Sequence, residues 1–283
     1  MPHVFACIDG SPSSPAVCDY AAWASLRLDT PLTFLHVLDH HQFPVAGDLT
    51  GNIGLGSREH LLQELAALDE RRGKLALEQG RLMLEAAKER AMADGVANPQ
   101  LRQRHGDLLE CLTELESDLR LLVIGRKGEA SDRQGRQIGS HLESVIRTLH
   151  RPILVSPQEF KVPASALLAF DGSETTRKGV RLLAASPLFK DMAIHLVMVG
   201  ADTNDAWAQL EWAKGVLKEA GLEAHTVIRP GEVGPALHAY QEDHQVDLLV
   251  MGAYGHSRIR QFLVGSTTTQ MLRTTKTPLL LLR

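Results

Sequence analysis

The sequence carries one ordered set of motifs twice, and this duplication constrains the fold more than any other feature. In each copy an apolar strand pattern runs into Asp-Gly-Ser, a later apolar run ends in a two-glycine turn, and a Gly-Ser pair follows. A proline then stands thirteen positions after the glycine of that pair and leads a last apolar run. The matching segments are 9–11 and 171–173, 120–128 and 247–255, 139–140 and 265–266, and 151–155 and 277–281. Agreement in order and spacing indicates an internal duplication with its boundary near residue 157.

Each copy alternates strand and helix patterns about five times, which is typical of a parallel sheet covered by helices on both faces. We therefore expect an α/β fold of two tandem doubly wound, five-stranded, Rossmann-like domains, at residues 1–157 and 158–283. The final strands, 153–155 and 279–282, are almost wholly apolar. We expect these two strands to pack together and to relate the halves by pseudo-twofold symmetry, as an intramolecular pseudo-dimer. A homodimer of whole chains stays open.

The copies differ between their second and third strands, where the first carries a long insertion at residues 47–95 and the second only 202–221. Residues 57–93 predict helix, after a loop at 47–56 and with a break near Gly73, since glycine disfavours helix. Apolar residues recur in this helix at three- or four-residue steps or whole turns, at Leu61, Leu65, Leu68, Leu75, Leu82 and Ala86. We interpret the insertion as an elaborated surface helix, and a dimer seam or a lid over a site are the alternatives.

Composition argues against several classes of partner. Hydrophobic residues make up 44% of the 283 residues, but no apolar run reaches the length of a membrane helix. The formal net charge is −4 and no basic stripe occurs, so neither a membrane nor a nucleic acid is expected as a partner. The N-terminus reads as a first strand rather than a signal peptide, and the three cysteines form no CxxC pair. We expect free thiols and a cytoplasmic protein.

The second copy of the glycine turn, within residues 246–268, has the chemistry of a phosphate cradle. An apolar run suited to a buried strand ends at Gly252, and Gly252 and Gly255 let backbone approach a ligand closely. Residues 265–268, Gly-Ser-Thr-Thr, then open a helical segment, with hydroxyls beside the unpaired N–H groups of a helix start. Ligands of parallel sheets bind at the carboxyl ends of strands, where both Asp-Gly-Ser loops are also expected.

The spacing Gly-x2-Gly-x9-Gly-Ser at Gly252, Gly255 and Gly265, together with the strand that ends in Asp-Gly-Ser, resembles the universal stress protein family. Both halves carry the resemblance, so the chain resembles a tandem member. The resemblance implies a nucleotide-binding α/β fold, usually cytoplasmic and often dimeric. It implies that ATP, or ADP or AMP, binds the second half, with or without Mg²⁺. The residues that match the family's site are Ala169, Phe170, Asp171, Val199, Met251, Gly252, Gly255, Gly265, Ser266, Thr267 and Thr268. His256, which follows Gly255, is a further candidate for contact with phosphate, and a solvated loop histidine is the alternative.

The resemblance also implies a role for each part of this site. Asp171 and the two residues before it would hold the adenine and ribose, and the backbone of Val199 would meet the adenine edge. Met251 and the glycine turn would line the ribose, and the Gly-Ser-Thr-Thr segment would hold the phosphates. The chemistry agrees, because a carboxylate accepts hydrogen bonds from ribose hydroxyls and a helix start offers N–H donors to phosphate.

The first copy departs from this pattern. Ten residues rather than nine separate Gly128 from Gly139, and they include Glu129 and Asp132, whose negative charge would repel phosphate. Glu143 adds a further acid where the second copy has a threonine. We predict a degenerate site here, either a nucleotide site or a structural pseudo-site. Its residues are Asp9, Val37, Gly125, Gly128, Gly139 and Ser140.

The predicted function is nucleotide binding as a sensor or switch, which would change a surface recognised by an unidentified protein partner. The alternatives are a slow ATPase and an interaction module without a ligand. The sequence has no P-loop and no motif-placed base or arginine finger, so no catalytic residue is assigned, and at most weak ATP hydrolysis is expected. No metal site is expected either, because His36 lies in a strand pattern, and His40 and His41 point to opposite sides if extended.

Overall fold

The computed structural model describes residues 1–38, 55–128, 141–252 and 266–282, with only the backbone at 55–62 and 266–267. The first half contains β1 (His3–Cys7), α1 (Ser14–Leu28), β2 (Leu32–Leu38), α2 (Leu55–Ala93), β3 (Gln100–His105), α3 (Leu108–Glu114), β4 (Leu119–Gly125), α4 (Leu142–Thr148) and β5 (Ile153–Ser156). The second half contains β6 (Ser165–Ala169), α5 (Glu174–Ala185), β7 (Ala193–Val199), α6 (Asn204–Glu219), β8 (Ala224–Arg229), α7 (Val233–Asp243), β9 (Leu248–Gly252), α8 (Ser266–Thr274) and β10 (Leu279–Leu282). The predicted alternation of strand and helix is therefore confirmed.

Side-chain caps explain where several helices begin. Asp107 accepts hydrogen bonds from the N–H groups of Leu109 and Glu110 at the start of α3, at 2.8 and 3.1 Å. Ser173 and Thr203 similarly accept bonds from backbone N–H groups at the starts of α5 and α6. Each cap satisfies a donor that the helix itself cannot pair.

All ten strands form one sheet, in the order β3-β2-β1-β4-β5-β10-β9-β6-β7-β8. Neighbouring strands are parallel except at the centre, where β5 and β10 pair antiparallel with Leu154 opposite Leu280. Each half thus contributes five parallel strands, and the final strands join the two halves. The predicted pairing of the final strands is confirmed.

The core has two layers, one on each face of this sheet. Successive residues of a strand point to opposite faces, so Val4 belongs to one buried cluster and Phe5 to the other. Both clusters contain residues of both halves, for example Leu154 with Leu280 on one face and Ile153 with Leu281 on the other. Helices therefore cover both faces, as the doubly wound prediction requires.

Helix α2 differs from the prediction in its length and its continuity. It runs unbroken from Leu55 to Ala93, so the expected break near Gly73 is wrong, and residues 55–56 of the expected loop belong to the helix. The remaining loop residues, 47–54, lie outside the described residues. A glycine inside a helix costs only about 1 kcal/mol, and the surrounding surface is rich in i,i+3 and i,i+4 ion pairs such as Lys74 with Glu70.

The face of α2 that packs on the domain is also different from the one its leucines suggest. Leu75 is 71% exposed and Leu82 55% exposed, whereas the buried residues are Gly80, Leu84, Ala87 and Ala91. Small residues let the helix approach β2 and β3 closely. The described leucines of the predicted row that are exposed, Leu68, Leu75 and Leu82, therefore lie on a face that points away from the domain.

Candidate functional site

The Asp-Gly-Ser loop of the second half directly follows β6, at the carboxyl edge of the sheet. Asp171 Oδ1 accepts a hydrogen bond from Ser173 N–H at 3.0 Å and another from the Thr176 hydroxyl at 2.7 Å. Gly172 has φ +73°, a left-handed conformation that favours glycine, and its carbonyl accepts a bond from Arg177 Nε. The loop therefore holds the Asp171 carboxylate, which lies at the surface, in one orientation.

A residue that the sequence analysis missed packs against this loop. A Cβ atom added to Gly172 would overlap Oε1 of Gln209, a residue on α6. Among the described residues this buried oxygen has no hydrogen-bond partner. No motif marks Gln209, because its position beside the loop depends on how α6 packs against α5. The only signal in the sequence is that Gln209 belongs to the helix that follows β7.

Three strand ends bring most of the predicted adenosine-binding residues to one edge. Strands β9, β6 and β7 are adjacent, so Gly252, Ala169 and Val199 end neighbouring strands. Phe170 N–H continues the ladder by donating to Val197 O at 2.9 Å. A Cβ atom on Gly252 would lie 3.3 Å from Thr175 in the first turn of α5, so the end of β9 packs closely beside the Asp171 loop.

Two predicted residues can contribute only their backbone to this edge. Phe170 is 2% exposed and belongs to one buried cluster, while Met251 is 6% exposed and belongs to the other. Their side chains fill the core on opposite faces of the sheet. Any contact they make with a ligand at the edge is therefore through peptide groups.

The predicted phosphate-binding residues are only partly described. Gly255, His256 and Gly265 lie outside the described residues. Ser266 and Thr267 form the first turn of α8, where their side chains are not described, and the Thr268 side chain is 3% exposed. The backbone at the start of α8 is thus the described part of the predicted cradle, since a helix start carries unpaired N–H groups.

The degenerate site of the first half has three of its six predicted residues in close proximity. Asp9 Oδ1 accepts a bond from Ser11 N–H at 3.1 Å, as its counterpart does in the second half. A Cβ atom on Gly128 would lie 2.8 Å from Asp9 Oδ2, and one on Gly125 would lie 2.8 Å from Ser13 Oγ. The glycine turn therefore packs directly on the Asp9 loop.

A carbonyl of this turn is bonded to the loop's hydroxyls. Lys127 O accepts a hydrogen bond from Ser13 Oγ at 2.9 Å, and Ser11 Oγ lies 3.5 Å from the same oxygen. Val37, a further predicted residue, lies half-buried near the end of β2. Gly139 and Ser140 lie outside the described residues, so the phosphate end of this copy is not described.

The residue that packs against the glycine of each loop differs between the halves. In the first half a Cβ atom on Gly10 would lie 2.7 Å from Sδ of Met83, a residue on α2. In the second half the equivalent neighbour is the Gln209 amide. A thioether accepts hydrogen bonds only weakly, whereas an amide both donates and accepts them. The second half is the more polar of the two loop environments.

His36, the described member of the predicted histidine set, is used in packing. His36 Nδ1 lies 2.8 Å from Ile8 O, so the ring is used in packing β2 against the end of β1. His40 and His41 lie outside the described residues. Within the described ranges, no three His, Cys, Asp or Glu side chains are grouped as a metal site would require, and no helix has the length and apolarity needed to span a membrane.

These features define a class first: a tandem pair of doubly wound α/β units, each with an Asp-Gly-Ser loop beside a strand that ends in glycine at the carboxyl edge of the sheet. The sequence model of the universal stress protein family matches residues 1–157 and 181–283. The chain belongs to the universal stress protein family. The second match starts after the Asp171 loop, so the assignment of that loop rests on the internal duplication and on its position in the fold.

Two known proteins resemble the chain over almost its whole length, and a third resembles part of it. Universal stress protein Slr1230 of Synechocystis sp. is 37% identical over 287 aligned residues, covering 100% of both chains. The crystal structure of a universal stress protein from Archaeoglobus fulgidus covers 99% of this chain and 98% of its own, with 19% identity and a TM-score of 0.72. A universal stress protein solved in complex with cAMP matches 44% of this chain and 98% of its own, with 22% identity and a TM-score of 0.39.

Proposed function

We propose that the second half binds an adenine nucleotide (ATP, ADP or AMP) at the carboxyl edge of β6, β7 and β9. The observation that carries the proposal is the Asp171 carboxylate, held by Ser173 N–H and Thr176 Oγ1 beside the end of β9. A preoriented carboxylate at the surface is suited to accept hydrogen bonds from the two ribose hydroxyls. The adenine then lies toward the end of β7, where Val199 offers peptide groups.

The phosphates extend in this proposal toward α8. The start of that helix supplies backbone N–H donors and the positive end of the helix dipole. In the sequence, Gly252 and Gly255 precede this helix and follow the strand that ends beside the proposed ribose site. Residues without Cβ atoms allow the phosphates to approach the backbone. If Mg²⁺ takes part, it enters bound to the phosphate oxygens.

The first half acts in this proposal as a structural copy that does not bind nucleotide. Its Lys127 carbonyl accepts the hydrogen bond from Ser13, and its glycine turn packs against Asp9. A ligand at this loop would have to displace the turn and leave the carbonyl unpaired, which costs free energy. The acids Glu129 and Asp132 add electrostatic repulsion.

The function that follows is that of a nucleotide-dependent switch. Nucleotide bound between the end of β6 and the start of α8 would favour one arrangement of the residues that link β9 to α8. A protein partner that recognises this arrangement would sense the nucleotide. The protein is expected to be cytoplasmic, where adenine nucleotides and such partners meet. No described residue is placed as a catalytic base, so release of phosphate is not part of this proposal.

Isothermal titration calorimetry of the full chain with ATP, ADP and AMP tests the proposal. Asp171→Asn keeps an oxygen for Ser173 N–H but removes the charge, and we expect it to weaken nucleotide binding about tenfold or more. Asp9→Asn makes the same change in the first half and should leave the affinity unaltered. Gly265→Val should block binding, since a branched side chain would occupy the phosphate approach. Absence of binding at millimolar nucleotide, or equal loss in both asparagine variants, would refute the assignment.

A further inference from the structure

Two buried polar atoms at the carboxyl edge of the second half have no hydrogen-bond partner among the described residues. One is Oε1 of Gln209, beside the Asp171 loop, and the other is Nε of Arg229, the last residue of β8. Buried donors and acceptors are nearly always paired in folded proteins, because an unpaired one costs free energy. The Arg229 donor therefore calls for an acceptor that the described part of the chain does not supply.

Arg229 lies next to the strand end where the adenine is proposed to bind. Val199 and Arg229 are register partners on the parallel strands β7 and β8, and Gly200 N–H donates to Arg229 O at 2.9 Å. Neighbouring strands are about 4.8 Å apart, and paired residues point to the same face of the sheet. The side chains of Ala169, Val199 and Val227 pack against the core layer of one face. Arg229, two positions after Val227, points to that face as well.

The ring of Tyr240 holds the guanidinium of Arg229 at this place. Cζ of Arg229 lies 5.4 Å from the centre of the ring, within the range of a cation–π contact. The ring is itself fixed: its hydroxyl lies 2.8 Å from His195 Nδ1, and it stacks on His244 with ring centres 4.0 Å apart. Arg229 therefore offers its donors from a preorganised position, which reduces the entropy that a ligand loses on binding.

The first half has an arginine at the same place, but that guanidinium is already paired. Val37 and Arg104 are register partners on β2 and β3, as Val199 and Arg229 are on β7 and β8. Arg104 Nη1 forms an ion pair with Glu114 of α3. The copy proposed to bind nucleotide is thus the one whose arginine Nε lacks a partner within the described structure.

We infer that Arg229 reads the base of the bound nucleotide, by donating its Nε–H to a ring nitrogen of the adenine that meets Val199. The ring nitrogens of adenine are hydrogen-bond acceptors. The phosphates are a less suitable partner, because they are proposed to extend toward α8, which follows β9, and β6 and β7 separate β9 from β8. The inference rests on the proposed nucleotide site and adds to it a positioning residue that no motif marks.

Isothermal titration calorimetry of the full chain with AMP, ADP and ATP tests the inference. Arg229→Met keeps an unbranched apolar stem but removes the donors. We expect it to weaken the binding of all three nucleotides by the same factor, about tenfold or more, since the lost hydrogen bond involves a charged group. Arg104→Met makes the matched change in the first half and should leave the affinities unaltered. A loss that increases from AMP to ATP would overturn the inference and assign Arg229 to the phosphates.

Arg229→Lys separates the guanidinium from its charge. Lysine keeps the positive charge but has no N–H group at the Nε position, so this variant should bind nucleotide as weakly as Arg229→Met. Full affinity in the lysine variant would show that only the charge acts there and would refute the contact with the base.

Urea unfolding without nucleotide separates a ligand contact from a structural role. Arg229→Met should be about as stable as wild type, because the donor that it removes has no partner among the described residues. Reduced stability together with unchanged nucleotide affinity would assign Arg229 to packing alone and overturn the inference.

The nucleotide site and the role of Arg229 fail in different ways. If Asp171→Asn weakens binding and Arg229→Met does not, the site stands and the contact between Arg229 and the base is refuted. If wild type binds no nucleotide at millimolar concentration, both are refuted.

Discussion

Asp9 and Asp171 hold equivalent positions, and at the scale of single residues the two loops are built alike. Each follows the first strand of its half, and each accepts a bond from the N–H group two residues later. The differences lie in what packs around them: Met83 against Gly10 and Gln209 against Gly172. Because the two motifs are alike, any difference in ligand binding between the loops would have to come from their neighbours on other elements of the fold.

A histidine cluster far from any motif predicts that the stability of the second half depends on pH. His195 Nδ1 lies 2.8 Å from the Tyr240 hydroxyl, and its ring is 5.4 Å from that of His225 and 6.0 Å from that of His244. Burial lowers the pKa of His195 below its usual value of 6.5, and the two neighbouring histidines lower it further. The folded protein thus favours the neutral ring more than the unfolded chain does.

The sign of the effect follows from this lowered pKa. The contribution of His195 to the free energy of unfolding is fully present above pH 6.5. It is lost as the pH falls from there through the lower folded-state pKa, because in this range the unfolded chain binds more protons than the folded one. Urea unfolding should therefore show wild type losing stability between pH 7.5 and 5.5. His195→Gln should lose less, by under about 1 kcal/mol since the ring is partly exposed. Parallel pH profiles of the two proteins would contradict this account.

At the scale of elements, α2 shows what a sequence pattern can and cannot establish. The final strands, Ile153–Ser156 and Leu279–Leu282, lie where the sequence predicts them to within one residue, because short apolar runs form buried strands. Leu68, Leu75 and Leu82 share a face of α2, as their seven-residue spacing requires, but the spacing does not say whether that face contacts the rest of the domain. Close packing at Gly80 is invisible in the sequence, because it depends on His36 of another strand.

Two glycines of α2 test this packing. Gly80→Ala should cost about 1–3 kcal/mol, because the new Cβ would lie 2.5 Å from Cδ2 of the buried His36 ring, which is held by its bond to Ile8 O. Gly73→Ala is the matched control on the same helix: nothing lies within 4 Å, so it should be neutral or stabilising by up to ~1 kcal/mol. Urea unfolding measures both. Equal stability of the two variants would show that α2 does not pack through Gly80.

Which features of the candidate site could be predicted depends in the same way on whether they follow from a sequence pattern or from tertiary packing. That Asp171, Gly252 and Val199 lie at one edge of the sheet could be predicted, because the ends of neighbouring parallel strands share one edge. The burial of the Phe170 and Met251 side chains could not be, since it depends on the strand's alternation between two core layers. Gln209 could not be assigned either, because its place at the loop depends on the packing of two helices.

At the scale of the whole molecule, two similar halves are joined in one sheet but are predicted to do different work. The antiparallel pair of β5 and β10 makes the sheet continuous, and core residues on both of its faces come from both halves. In the proposal one copy binds nucleotide and the other supports it structurally. The distribution of nucleotide between the halves is therefore the central claim about this protein.

Native mass spectrometry of the full chain with ATP tests that claim most directly, since it counts nucleotides per chain. We predict one nucleotide per chain for wild type and for Asp9→Asn, and none for Asp171→Asn under the same conditions. Two nucleotides on wild type, or a single nucleotide that Asp9→Asn removes and Asp171→Asn retains, would contradict the account.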